Sequence, residues 1–278
     1  MQTDTPVNIY NKNNESELCI FDFRFFLSLP DGRGLISCHA MNAVLIVNEG
    51  GDIIGQLSCG IAKPEGIAMN SKGVVYVVDR HKNCIHVFDK DLTQQRGIVM
   101  DFQEPGKLNQ PVGIAVSKLD DRIFIADNEN HRVLVLAEDG KYISTLTGSS
   151  DTRFFCPCGV ALYNHPTHGE LTIVSEWGAG RVQVFKPDGV LFALYGGVEH
   201  AHHVVVDDCG IIYVTEYSNR KIKTFDLNGE LLGGGEWGAS AVSLVSGDQG
   251  LRAIVMRDQV VKIVKETKKK RKAIEINL

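Results

Sequence analysis

Several things are scarce in this chain, and each scarcity removes a class of protein. Only 8 of the 278 residues are proline, and no apolar run approaches the roughly 20 residues that a bilayer-crossing helix needs. The opening stretch MQTDTPVNIYNKNNESE lacks the apolar core of a signal peptide, so the expectation is a soluble, cytoplasmic protein. The cysteines number 7, an odd count, and Cys19, Cys38, Cys59, Cys84 and Cys209 mostly sit within or beside apolar runs. That pattern reads as buried free thiols rather than a disulfide framework. Positive charge is in deficit: the net charge is −5, and the one dense basic run is Lys268 to Lys272. Binding driven by charge alone to a nucleic acid is therefore not advertised. No glycine-rich loop leads from a strand into a helix, and Gly233 to Gly235 read as a turn, which removes the phosphate-cradling motifs.

What the chain has in abundance is self-similarity. PEGIAMNSKGVVYVVDRHKNCIHVF from Pro64 returns as PVGIAVSKLDDRIFIADNENHRVLVL from Pro111 and as PCGVALYNHPTHGELTIVSEWGAGRVQVF from Pro157. Looser copies start at His202 and Ala241, and a degraded one precedes them around His39, which makes six. Equivalent positions near residues 25, 66, 113, 159, 203 and 243 are 41, 47, 46, 44 and 40 apart. A period of roughly 40 to 50 residues built from short β runs is the signature of a propeller, one blade per repeat.

Within the third copy, Gly113 to Val116, Arg122 to Ala126, Arg132 to Leu136 and Tyr142 to Leu146 are short apolar runs separated by turn-forming SKLDD, DNENH and AEDG. Each unit is thus a four-stranded antiparallel sheet whose two apolar faces can be buried only by its neighbours. The expected fold class is all-β: a six-bladed β-propeller of four-stranded antiparallel blades. The expected organisation is a flexible segment 1–17, a propeller over 18–265 and a basic tail over 266–278. The sixth copy supplies three strands before KETKKKRK, too charged for a buried outer strand. An N-terminal segment, Leu18 to Phe23, is expected to close the ring, with Ala273 to Leu278 as the other candidate.

Asp127 and Arg132, Glu176 and Arg181, and Glu216 and Lys221 each place an acid at the end of a second strand and a base five residues on. That is hairpin spacing, suited to an ion pair across the turn between second and third strands; the alternative is that these charges face a ligand. Copy two breaks the pattern with Asp79 and Cys84. The loops leading into the blades and the turns between second and third strands share one face of a propeller, and large or charged side chains gather there. The candidate binding residues are Arg80, His81, Lys82, Phe102, Asn130, His131, Arg132, Arg153, Trp177, Arg181, Tyr217, Arg220, Lys221 and Trp237. Aromatic and Arg side chains dominate binding hot spots. Phe154 and Phe155 read equally well as packing between blades. The opposite face, carrying NEGGD, DDCG, EDG and PDG, is acidic.

The pattern PxGIAV, YVxD, Asn130-His131-Arg132 and the DG turns resembles the NHL repeat, over about Arg24 to Lys265. It is similar to the C-terminal NHL domain of tripartite-motif proteins, where such a propeller selects the protein or RNA on which a ubiquitin ligase acts. The resemblance implies a non-catalytic platform, an adaptor or substrate-recognition module, with a protein or peptide as partner. Single-stranded RNA on the same face is the alternative. RING-type Cys/His spacing does not occur in this sequence, so ligase activity is not implied for it. A metal-dependent lactonase or lyase would need carboxylates, Asn and His at the inner strand starts; no such recurring set is apparent, and no cofactor or metal is expected. Cys156 and Cys158 with His165 and His168 have zinc-like spacing, but the intervening strand would hold them roughly 20 Å apart.

Overall fold

A computed structural model describes residues 23–48, 52–58, 60–93, 95–99, 106–236, 241–247, 250–257 and 260–265. Blade 1 comprises β1 (Phe23–Ser28), β2 (Gly34–Cys38), β3 (Ala43–Val47) and β4 (Ile53–Leu57). Blade 2 comprises β5 (Pro64–Met69), β6 (Val75–Asp79), β7 (Cys84–Phe88) and β8 (Gln95–Val99). Blade 3 comprises β9 (Pro111–Val116), β10 (Ile123–Asp127), β11 (Arg132–Leu136) and β12 (Tyr142–Leu146). Blade 4 comprises β13 (Pro157–His165), β14 (Gly169–Glu176), β15 (Arg181–Phe185) and β16 (Leu191–Tyr195). Blade 5 comprises β17 (Ala201–Val206), β18 (Ile212–Glu216), β19 (Lys221–Phe225) and β20 (Leu231–Glu236). All are antiparallel meanders, with each strand paired to the next in sequence.

The expectation of six four-stranded blades is corrected by the strand pairing: five blades have four strands, not six. The last repeat forms a three-stranded sheet, β21 (Ala241–Gly247), β22 (Gly250–Arg257) and β23 (Val260–Lys265), with β21 packed between β17 and β1. No described strand pairs with the outer edge of β23. The residues that follow β23 are the highly charged ETKKKRK, and Phe23, the last residue of the segment expected to supply an extra strand, belongs to β1. Residues 18–22 and 266–278 lie outside the described residues.

Period-two alternation explains how the blades stack. In β6, Val75 and Val77 pack on the blade 1 side with Leu35 and Val44, while Tyr76 and Val78 pack on the blade 3 side with Ile114, Ile123 and Ile125. In β10, Phe124 turns the other way, toward Val160, Val174 and Phe185 of blade 4. Blade 4 in turn sets Leu171, Ile173 and Val184 against Val204, Val214 and Phe225 of blade 5. Both faces of β6 and β10 are buried along their full length, whereas β12 is exposed or half-buried throughout. At about 25 cal/mol per Å² of apolar surface, this interblade contact is the main stabilising contribution.

The glycine of the PxG motif is required by the axis. A Cβ on Gly66 would stand 2.7 Å from Val112 O, one on Gly113 2.3 Å from Cys158 O, and one on Gly159 2.6 Å from His202 O. Each innermost strand therefore backs directly onto the main chain of the next. Where the motif lapses, side chains fill the gap: Phe25 and His203 meet edge to face with centroids 4.4 Å apart.

Among the described cysteines, Cys38, Cys84 and Cys158 are buried, Cys156 is half-buried and Cys209 is exposed; all five are free thiols. The exposed Cys209 lies in the turn before β18, outside the sheet interior that the apolar runs suggested.

Candidate functional site

The acids ending the second strands of blades 2 to 5 hold the loops that lead into those blades. Asp79 accepts the backbone N–H groups of Ala62 (2.7 Å) and Lys63 (3.2 Å), and Asp127 accepts that of Asn109 (2.7 Å). Glu176 accepts Phe155 N–H and Glu216 accepts Glu199 N–H, both at 2.8 Å. All four carboxylates are buried. Three of the four, Asp127, Glu176 and Glu216, have a partner on the third strand that reaches back to the same loop. Arg132 donates to Asp127 (2.7 Å) and to the carbonyls of Gly106 and Lys107, and Arg181 donates to Glu176 (2.7 Å) and to Arg153 O.

For the third expected pair the partner differs. Glu216 is ion-paired at 2.8 Å with Lys223, which also donates to Gly197 O, rather than with Lys221. Residues two apart on a strand share a face, so the partner can come from five or seven positions on. The seventh is also where His86 meets Asp79 (3.1 Å) and Gln183 meets Glu176 (2.7 Å). Asp79, Cys84 and His86 thus cluster, all buried. Burial and the Asp79 charge push the Cys84 thiol up to about 11. Burial would raise the Asp79 carboxyl, but His86 and the loop N–H groups outweigh it and hold the carboxyl well below the usual range.

The Asn-His-Arg motif is part of the same clamp. Asn130 donates to Asp127 and Lys107 O, Arg132 acts as above, and His131, in left-handed conformation at φ 54°, accepts Cys156 N–H on Nδ1. That last bond ties blade 3 to the loop leading into blade 4, and the His131 ring packs on Phe155 at 5.3 Å.

The innermost strands place a second, unrepeated set at the axis. The residue between Pro or its equivalent and the motif glycine is Arg24 in β1, Glu65 in β5, Val112 in β9, Cys158 in β13 and His202 in β17. Glu65 is wholly buried, with Oε1 3.1 Å from His39 Nε2 and 3.7 Å from Arg80 Nη1. Burial would raise its carboxyl, yet His39, His202 and Arg24 bring it below the usual range. His202 is lowered to about 4, first by desolvation and then by Arg24, Arg80 and His39, against the opposing pull of Glu65. Burial raises the Cys158 thiol well above its ordinary value.

A pocket of about 390 Å³ is lined by Arg24, His39, Lys63, Arg80, His81, Asn83, Asn109 and Gln110, of which His39 and Arg80 also flank Glu65. An aromatic pad is joined to this lining through Arg24. Trp177 meets His200 at 4.7 Å, Tyr217 at 5.5 Å and His202 at 5.9 Å, and Arg24 donates to the Tyr217 hydroxyl.

The sequence-selected residues therefore separate. Arg80 and His81 line the pocket, and Trp177 and Tyr217 form the pad. Asn130, Arg132 and Arg181 are engaged in loop clamps. Lys82, Arg153 and Arg220 are exposed and Lys221 half-buried, none of them lining the pocket. Phe102 and Trp237 lie outside the described residues. Phe154 is buried against Phe185, and Phe155 is exposed. Sequence reasoning passed over Arg24, His39, Lys63, Glu65, Asn83, Asn109 and Gln110. The available signal was the variable x of PxG, the one position in a repeated motif where R, E, V, C and H alternate.

The sequence model of the NHL repeat matches residues 62–88 and 108–136, so NHL repeats are found in these two segments. Two proteins share detectable sequence with it. Protein brain tumor of Drosophila melanogaster is 27% identical over 131 residues, 46% of this chain and 12% of that protein. The B-box type zinc finger protein ncl-1 of Caenorhabditis elegans is 28% identical over 129 residues, 46% of this chain and 15% of that protein. The resemblance to NHL domains of tripartite-motif proteins holds at this modest identity, and the chain spans only that small share of its relatives' lengths. Among solved structures, a gluconolactonase from Xanthomonas campestris superposes with a TM-score of 0.69 at 19% identity, covering 88% of this chain and 86% of that one. That likeness establishes the fold alone.

Proposed function

We propose that this chain is a non-catalytic binding platform that takes a protein or peptide segment on its loop face. The observation that carries this is the adjacency of an open polar pocket and a half-buried pad of Trp177, His202 and Tyr217, with exposed His200 against them. Aromatic anchors beside a polar recess are the arrangement that peptide hot spots use. The ionisations at the axis support a non-catalytic reading. His202 stays neutral down to about 4 and the thiol of Cys158 is pushed up, so neither is poised near neutral pH for proton transfer. Clamped loops give a rigid surface, which lowers the ordering cost of binding.

Single-stranded RNA is the second reading, because cations beside stacked rings also suit bases and phosphates. The two separate by fluorescence anisotropy with a random peptide pool and a random single-stranded RNA pool, salt being titrated. Peptide binding weakened at least tenfold by Trp177→Ala or Tyr217→Ala, with a shallow salt dependence, is the expected result. Retention of RNA alone, falling steeply with salt, overturns it. A role in recruiting substrates to a ubiquitin ligase follows if the captured partner is itself ubiquitinated in a manner dependent on Trp177.

A further inference from the structure

Blades 3, 4 and 5 share one device at the turn between second and third strands: a buried acid meets a cation from five or seven residues on. Asp127 is paired with Arg132 and Glu176 with Arg181, both at 2.7 Å, and Glu216 with Lys223 at 2.8 Å. In blade 2 the acid is Asp79, and the same two positions carry Cys84 and His86. The ladder sets Asp79 opposite Cys84, and residues two apart on a strand share a face, so the three side chains converge. All three are fully buried. His86 Nε2 stands 3.1 Å from Asp79 Oδ2 and 3.7 Å from Cys84 Sγ, and the three ligating atoms lie within 4.8 Å of one another.

Those two separations match the edges of a coordination tetrahedron. Zinc bonds of about 2.0 Å from N or O and about 2.3 Å from S place an N and an O ligand roughly 3.3 Å apart, and an N and an S ligand roughly 3.6 Å apart. Thiol, imidazole and carboxylate side chains are also the ligand types that zinc takes. We infer that Asp79 Oδ2, Cys84 Sγ and His86 Nε2 form a Zn²⁺ site, the ion standing where the other blades place an Arg or Lys. A water molecule takes the fourth position of the tetrahedron. On binding, the Zn–S bond forms as Cys84 releases its proton to solvent, and the ion replaces the hydrogen bond between His86 Nε2 and Asp79 Oδ2 while the imidazole keeps its one proton on Nδ1. The loop clamp survives this exchange. Asp79 Oδ2 has a second lone pair beside the one that accepts Ala62 N–H, and Oδ1 keeps the N–H groups of Lys63, His81 and Lys82. The ion therefore fixes the loop leading into blade 2 through the carboxylate that already holds it.

The test strips the folded chain with a chelator, titrates Zn²⁺ by calorimetry, and records zinc X-ray absorption on the unaltered chain, with a second sample refolded in the presence of zinc. Expected are a first shell containing one sulfur with otherwise N and O, affinity weaker by about tenfold or more in Cys84→Ser and His86→Gln, and a zinc-dependent rise in melting temperature that both variants lose. His86→Gln keeps a donor toward the buried acid, as Gln183 does for Glu176, so it is expected to fold without metal. Equal affinity in the folded variants overturns the site, because the ion then sits on other Cys or His side chains. A zinc shell with no sulfur, or with two or more, also overturns it, and that measurement needs no variant. A refolded chain that retains no zinc leaves Asp79 and His86 as a simple hydrogen-bonded pair and overturns it likewise.

Discussion

Lys223 Nζ lies 2.8 Å from Glu216 Oε1, on the strand position that holds His86 in blade 2 and Gln183 in blade 4. Three chemically different donors thus perform one task, holding a buried acid that in turn holds a loop.

Replacing that donor leaves a buried carboxylate short of a partner. Lys223→Met is expected to cost about 1–3 kcal/mol. Lys223→Gln, which imitates Gln183, is expected to recover at least half of it. Urea denaturation at neutral pH measures both.

Arg132 makes one bond to Asp127 and two to loop carbonyls from a single planar fork. A lysine ammonium cannot span those acceptors in the same geometry, so Arg132→Lys should destabilise by about 1–2 kcal/mol despite keeping the charge. Hydrogen exchange of the Asn109 amide, bonded to Asp127, is expected to accelerate in the same variant.

His202 supplies a pH dependence with a definite sign. Its ordinary value of 6.5 is lowered to about 4 in the fold, so between those values the unfolded chain binds the proton and the folded chain does not. Stability should therefore rise with pH through this window and fall as pH drops from 6.5 toward 4. The loss at about pH 5 is expected to be roughly 2 kcal/mol. His202→Gln should flatten the profile there. The lowered carboxyls of Asp79 and Glu65 act separately, withdrawing their stabilisation only below the ordinary carboxylate range. Denaturation midpoints across this range resolve the two effects.

Gly113→Ala should be among the most damaging small changes, because the added methyl would sit 2.3 Å from Cys158 O and 3.1 Å from Gly159 Cα. Main chain cannot yield as a side-chain tip can, and a loss of about 3 kcal/mol or failure to fold is expected. Gly196→Ala, with nothing within 4 Å of the new Cβ, should stay within about 0.5 kcal/mol. Thermal melts of the pair provide the comparison.

Much of this molecule was legible in its sequence because repetition encodes itself. Alternating apolar runs such as Ile123–Asp127 and turns such as AEDG specify strands and hairpins locally, and a period of 40 to 47 residues specifies stacked sheets. Asp127 and Arg132 were readable as a pair because a hairpin makes five-residue spacing adjacent. The three strands of the last sheet were readable from the sixth repeat, but what would complete that sheet was not, since a fourth strand is a pairing partner that need not be a sequence neighbour.

The site itself depended on three dimensions. Local sequence determined that Trp177 and Tyr217 would occupy turns on the loop face, for turn chemistry is local. Only the closed packing of innermost strands brought Arg24, Glu65 and His202, up to 178 residues apart, to one axis, and set Arg80 over a buried carboxylate from its own blade. Proximity across blades is a property of the shared core: side chains that face away from each other's sequence meet because each sheet must bury both of its faces.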